Sequence, residues 1–397
     1  MRQLKYLTIT VGFMLMSTLP IYAQQKHLIL AEGNFWKPLL TPNLVKNHKS
    51  INKLPFSGFV MVGNSFTKEV MREGVTLKYK DVWNEVKALK GLYKNKDIFM
   101  QINIDFPADF WDYSEWNIVS KNFAIVAKVA KDLNFKGIVF DDEPYTETSH
   151  KMSNFKFPNR SEIDTKSKSW EIKGSEPDWV DKKGYRNPKY NFKEHMAKVT
   201  YRFKRIMQSM VKAYPKLTLL VYNGASFAHV NSNRKDIIVT DVGLPREHEY
   251  KGAIFTGFQQ GLNATATLHD MGESYRYRTD KHFKQAYQWR KYDIATESSN
   301  RVDRSFQWSI PKEQRATWSK DIQVGFMVFN KGQNSNYREY NTKHKSTLKD
   351  IKATLQKALK YSDKYVIYYC QDQDWLLPNQ KHPLKKVWID MIDSLQI

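Results

Sequence analysis

The sequence predicts an α/β protein: a (β/α)8 barrel of the TIM type with a long insertion after its fourth strand. Three observations carry that expectation. Short apolar runs alternate with amphipathic, helix-patterned stretches along the chain. Eight such runs begin at residues 27, 57, 97, 136, 217, 264, 322 and 364. Acids, amides and aromatic residues crowd just behind them. Strands that alternate with helices pair in parallel through right-handed crossovers, and eight of these units close a barrel. An open doubly wound sheet is the competing topology, but no Gly-rich phosphate loop follows the first strand.

The elements follow in order. "HLIL" (27–30) and "SGFVMV" (57–62) are the first two strands, and "YKDVWNEVKALKGLY" is the helix that follows them. "DIFMQINI" (97–104) is the third strand. It leads into "SKNFAIVAKVAKDL", where Phe123, Val126, Val129, Ala130 and Leu133 share one helical face. "KGIVF" (136–140) is the fourth strand. Beyond the insertion, the helix "FKEHMAKVTYRFKRIMQSMVKAY" leads to the fifth strand, "LTLLVYNG" (217–224). "ATATLHD" (264–270) is the sixth, and "DIIVTD" (236–241) is a further strand-like run that would raise the count to nine. The helix "KHFKQAYQWRKY" precedes the seventh strand, "IQVGFMVFN" (322–330). "STLKDIKATLQKALKY" stripes Leu348, Ile351, Leu355 and Leu359 before the eighth strand, "KYVIYYC" (364–370), and "PLKKVWIDMIDSL" is the last helix.

The N-terminus has the layout of a secretory signal peptide: a basic start ("MRQLK"), an apolar run, and "IYA" before Gln24, with cleavage expected after Ala23. The run is short for a spanning helix and contains Thr, Ser and Pro, so stable membrane insertion is not expected. The expected organisation is a 1–23 leader and one catalytic domain over 24–397, secreted or periplasmic. Cys370 is the single cysteine, which excludes an intramolecular disulfide and a cysteine-built zinc site. No cofactor is expected. The formal net charge of +22 suits an anionic partner, or reflects nothing more than a Lys-rich composition. No basic-aromatic nucleic-acid motif is present, and the leader argues against a nucleic-acid role. The chain is expected as a monomer or small homo-oligomer.

In such a barrel the chemistry sits where the strands end. Those positions hold Glu32 and Trp36; Asn64; Asp105 and Trp111; Asp141, Asp142, Glu143 and Tyr145; Tyr222 and Asn223; His269, Asp270, Glu273 and Tyr275; Asn330; and Asp372 and Trp375. Flat rings stack on the apolar faces of sugars, while carboxylates and amides bind hydroxyls. Hydrolysis of a glycosidic bond adds a need for two carboxyl groups, one protonated and one ionised. Crowded acids raise one another's pKa, which keeps a proton available. Residues two apart on a strand share a face, so Asp141 and Glu143 point together and Asp142 points away.

"FKGIVFDDE" (135–143) resembles the fourth-strand signature of chitinase-like (β/α)8 glycosidases, an aromatic-x-Gly-Ile-Asp-x-Asp-x-Glu run. Gly137, Ile138, Asp141 and Glu143 match, and Val139 stands where that signature has its first Asp. The resemblance implies Glu143 as general acid and Asp141 as its orienting neighbour. A broader similarity of element order extends to α-galactosidase-like barrels, with a nucleophile on strand four and an acid/base on strand six. It implies Asp270 or Glu273 in the second role.

The expected function is therefore an exported glycoside hydrolase acting on a polysaccharide or oligosaccharide. The insertion 146–191 would form a lid or binding wall, and its Lys166, Lys168, Lys182 and Lys183 would meet sulfate or carboxylate groups. Two other readings stay open: a non-catalytic carbohydrate-binding protein on a barrel scaffold, and a metal-dependent phosphoesterase with Asp141, Asp142, Asp270 and Asp372 as oxygen ligands.

Overall fold

The computed structural model describes residues 25–32, 41–62, 64–104, 110–142, 192–225, 251–272, 274, 277–296, 310–329, 347–370, 375–376 and 386–395. Nine strands form one sheet in the order β7-β6-β5-β4-β3-β2-β1-β9-β8. They are β1 (His27–Glu32), β2 (Gly58–Met61), β3 (Asp97–Asn103), β4 (Gly137–Asp141), β5 (Thr218–Val221), β6 (Thr267–Asp270), β7 (Ile322–Val324), β8 (Phe326–Phe329) and β9 (Tyr365–Cys370). Every pairing is parallel.

β7 and β8 are two halves of one apolar run interrupted at Gly325. The first half pairs with β6 and the second with β9. This run therefore joins the two ends of the sheet, and the nine segments make the eight-stranded ring of a TIM-type barrel. The interruption has a steric cause. A Cβ at Gly325 would overlap the Met271 thioether and the Tyr365 carbonyl, so only glycine fits where the run changes partner. Its N–H donates to the Asp270 carbonyl at 2.8 Å, which holds the turn against β6.

The helices are α1 (Thr41–Asn52), α2 (Ser65–Glu69), α3 (Tyr79–Val86), α4 (Tyr113–Asp132), α5 (Phe192–Ala213), α6 (Lys251–Gln260), α7 (Asp280–Lys291), α8 (Leu348–Tyr361) and α9 (Lys386–Asp393), with shorter helical turns between some of them. Local sequence sets their starts. Asp112 caps α4 by accepting from the Glu115 N–H at 3.0 Å, and Thr347 with Asp350 forms a capping box on α8. The face of α4 marked by Phe123, Val126, Val129 and Ala130 is fully buried against the sheet. α1, α2 and α6 have no counterpart among the helices that the sequence predicts. In α6 every residue from Lys251 to Gln259 is buried, so it carries no polar stripe by which a helix is recognised.

Alternation along the strands divides the core in two. Leu28, Leu30, Phe59, Ile138, Phe140, Leu219, Leu268 and Val366 face the helices. Ile29, Val60, Phe99, Val139, Leu220, Tyr365 and Ile367 fill the barrel. At the N-terminal end of the barrel, the Tyr365 hydroxyl donates to Asp97 at 3.1 Å and His27 Nδ1 lies 2.8 Å from the same carboxylate oxygen. Among the described residues no helix is long and apolar enough to cross a membrane. The strand-like run 236–241 lies outside the described residues.

Candidate active site

The strand ends carry two sets of side chains, sorted by the same alternation. Asp141, at the end of β4, is on the inward parity with Gly137 and Val139, and it stands opposite Asn103 of β3. A hydrogen-bonded chain surrounds it. The Tyr222 hydroxyl donates to Gln101 Oε1 at 3.1 Å, and Gln101 Nε2 donates to Asn103 Oδ1 at 2.7 Å and to Asp141 Oδ2 at 3.3 Å. Gln101 and Asp141 are both buried. An amide engaged on both its oxygen and its nitrogen cannot rotate without losing bonds, so it fixes the Asp141 carboxylate at the barrel mouth.

The opposite side of the mouth is aromatic. Phe329 of β8 and Tyr369 of β9 are paired in register, with ring centroids 5.4 Å apart. Tyr369 and Val62 are the half-buried members of the inner layer, and Met271 is buried beside them. An acid–amide wall on β3–β5 thus faces an apolar, aromatic wall on β8–β9. This arrangement matches a ligand with hydroxyl groups on one side and a C–H face on the other.

Behind the mouth, the outward parity carries buried ion pairs. Asp142 Oδ1 accepts from Asn223 Nδ2 at 2.6 Å and from the Asn223 backbone N–H at 3.2 Å, and Lys251 Nζ lies 4.0 Å away. Both members of the pair are fully buried. Asp270 follows the same rule. His269 and Met271 point into the barrel, so Asp270 points to the helices, 3.9 Å from Arg290. The Arg290 guanidinium also donates to the carbonyls of Gly325 at 3.0 Å and Met271 at 3.3 Å. Gly224, with φ +66°, lies against the Asp270 carboxylate at a point a side chain would occupy. These pairs bind the ends of β4, β5, β6 and the β7–β8 switch into one unit.

The structure therefore brings Asp141 and Tyr222 together and adds Gln101 and Asn103, which were not among the sequence candidates. Their signal was present in "DIFMQINI": two amides spaced by two within a buried strand must share a face. Asp142, Asn223 and Asp270 sit behind the rim, because strand parity turns them toward the helices. Trp375 is in the core, with its ring 4.9 Å from Phe56 and 6.2 Å from Tyr368, and Glu32 anchors that segment by accepting from the Leu376 N–H at 2.7 Å. His269 is deep in the barrel, its ring 5.0 Å from Tyr365. Burial, more than any neighbouring charge, pushes its pKa down to about 3 and keeps the imidazole neutral. Trp111 is half-buried near the start of α4. Trp36, Asp105, Glu143, Tyr145, Glu273, Tyr275, Asn330 and Asp372 lie outside the described residues.

Among the described residues, no group of three or more His, Cys, Asp or Glu side chains could hold a metal ion. Asp141, Asp142 and Asp270 do not converge, since one faces the barrel axis and two face the helix layer.

No protein-family model matches the chain, and no curated protein matches it. Solved structures do resemble it over most of its length. A broad-specificity GH5-4 endoglucanase from an uncultured bacterium is 11% identical over 96% of this chain and 98% of its own, with a TM-score of 0.43. A thermostable chitinase from Pyrococcus furiosus is 9% identical over 94% of this chain and 95% of its own, at 0.41. The 3-keto-D-glucoside 4-epimerase of E. coli is 9% identical over 94% and 99%, at 0.39. The chain spans about half (48%) of CpGH84B, with a TM-score of 0.42. At identities near a tenth and scores below 0.5, these likenesses assign neither a family nor an activity to this chain.

Proposed function

We propose that this protein is an exported carbohydrate-active enzyme, a glycoside hydrolase that cleaves a polysaccharide or oligosaccharide at the C-terminal mouth of its barrel. The observation that carries this reading is the inward-facing Asp141, held by Gln101 and set between Asn103 and Tyr222, across from the Phe329–Tyr369 aromatic pair. The amides and the phenol would bind sugar hydroxyls, and the rings would take the C–H face.

In this reading Glu143, two residues beyond Asp141 and on the same parity, is the proton donor, and the Asp141 carboxylate orients it. A like charge close by disfavours ionisation of Glu143 and keeps its proton available near neutral pH. Asp141 is the one mouth-facing carboxylate among the described strand ends. The second acid of a hydrolytic pair then comes from the remaining rim candidates, Asp105, Glu273 or Asp372. A carboxyl separation of about 5 Å would give retention, and about 6.5–9.5 Å inversion. The mature chain begins at Gln24 and acts as a single domain, with 146–191 as a wall of the binding cleft.

The test is a screen of the purified mature protein against neutral, uronic and sulfated glycans, scored by new reducing ends. Glu143→Gln should abolish release while leaving the circular dichroism spectrum and the melting temperature unchanged. Turnover by Glu143→Gln at the parent rate would refute that role. A uniformly negative screen, with retained glycan binding, would favour the non-catalytic binding protein.

A further inference from the structure

We propose that the first turn of α4 and the second and third turns of α5 form a separate binding platform for an anionic glycan, one carrying uronic or sulfated pyranose rings. The inference rests on the reading of the barrel mouth as a carbohydrate site, and it adds the charge class of the substrate. Helices that follow strands in this fold begin on the side where strands end, so this surface borders the mouth.

Three aromatic rings surround one ammonium there. Lys198 Nζ lies 5.4 Å from the Trp111 ring centroid, 5.0 Å from Tyr113 and 5.9 Å from Tyr201. It also donates to the Tyr113 hydroxyl at 3.1 Å. A second cation braces the group from below. Arg202, buried, has its guanidinium carbon 4.2 Å from the Tyr113 ring and donates through Nε to the Phe110 carbonyl at 2.7 Å. The rings are therefore held in place by the chain itself and need little ordering when a ligand arrives.

Tyr113 is 54% exposed and Tyr201 43% exposed, and they are two of the four large hydrophobic residues exposed among the described residues. A single exposed tyrosine needs no explanation, whereas exposed rings clustered around a cation mark a recognition surface. Rings grouped around a cation suit a ligand that alternates apolar ring faces with negative groups. Pyranoses supply the faces, and carboxylate or sulfate supplies the charge. The net charge of +22 favours the same sign of partner at longer range.

Affinity electrophoresis of the full mature chain, in gels containing dextran sulfate, polygalacturonate or uncharged dextran, tests this proposal. Retardation by at least one of the two polyanions is expected, and none by dextran. Tyr113→Ala/Tyr201→Ala keeps the net charge and removes only exposed rings, so a roughly tenfold weaker retardation would report stacking. Lys198→Gln should weaken binding more than Lys352→Gln, which removes the same charge from α8. Unchanged retardation in the tyrosine double variant, or equal effects of the two lysine changes, would reduce the interaction to diffuse charge and overturn the proposal. Tyrosine-dependent binding of single-stranded oligo(dT) in preference to either polysaccharide would overturn it in favour of a nucleic-acid surface. Binding is read without turnover, so loss of the platform and loss of hydrolysis are scored separately.

Discussion

Asp141 and Asp142 are neighbours in the chain, yet their carboxylates lie on opposite sides of the barrel wall. Asp141 accepts from Gln101 inside the barrel, and Asp142 accepts from Asn223 beside Lys251 in the helix layer. The pleat of a β-strand alone produces this division. It separates a group that faces the barrel mouth from a group that holds the rim together.

The two acids should therefore fail differently. Asp141→Asn retains the hydrogen-bonding shape and should lower kcat by at least ~100-fold with little change in stability. Asp142→Asn can still accept from Asn223 but removes the negative charge 4.0 Å from the buried Lys251 ammonium. A loss of about 3 kcal/mol in urea unfolding is expected. Comparable stability losses in both variants would refute the division.

Asp270 gives a second separation of role. Asp270→Asn should cost about 3 kcal/mol, because Arg290 stays buried beside it. Residual hydrolysis per folded molecule should persist when measured well below the unfolding transition. Complete loss of turnover with an unchanged urea midpoint would instead place Asp270 in the chemistry.

Barrel closure depends on one glycine. Gly325→Ala should destabilise by about 2–3 kcal/mol, since the new methyl group meets Met271 and the Tyr365 carbonyl. Hydrogen exchange of the β8–β9 amides should rise in the variant, while exchange in α4 stays at the parent level.

His269 predicts a pH dependence. Its folded pKa is lowered from 6.5 to about 3, so below pH 6.5 the unfolded chain binds a proton that the folded chain refuses. Stability is fully present above pH 6.5 and falls as pH drops toward 3, by up to ~1.4 kcal/mol per pH unit. His269→Gln should flatten urea-unfolding stability between pH 6 and pH 4.5. That window lies above the ordinary aspartate range, which separates this effect from the lowered Asp97 carboxylate. His282 is also shifted down by burial, but it is only partly buried and contributes less.

The aromatic wall should set affinity rather than rate. Tyr369→Ala is expected to raise KM by about three- to tenfold, with kcat reduced less, in line with one ring-stacking contact. A drop in kcat alone would place Tyr369 at the reacting atoms.

Much of this was legible in the sequence because it depends on local periodicity. Apolar runs at 27, 57, 97, 136, 217, 264, 322 and 364 become strands within a few residues, and alternation already split Asp141 from Asp142. The helix-period stripe over 120–133 lies within α4 apart from Leu133, which caps its C-terminal end. Where periodicity is absent the sequence was silent, as in α6, buried on all sides, which supplies the Lys251 partner of Asp142. Three things were decided only by the tertiary structure. Asp270 belongs to Arg290 because the register of β6 puts His269 and Met271 inside. Trp375 belongs to the core because Phe56 and Tyr368 surround it. The run 322–329 serves two neighbours because closing the ring bends it at Gly325. Each of these is a contact between residues far apart in the chain, and composition and spacing hold no record of which distant partner a side chain will meet.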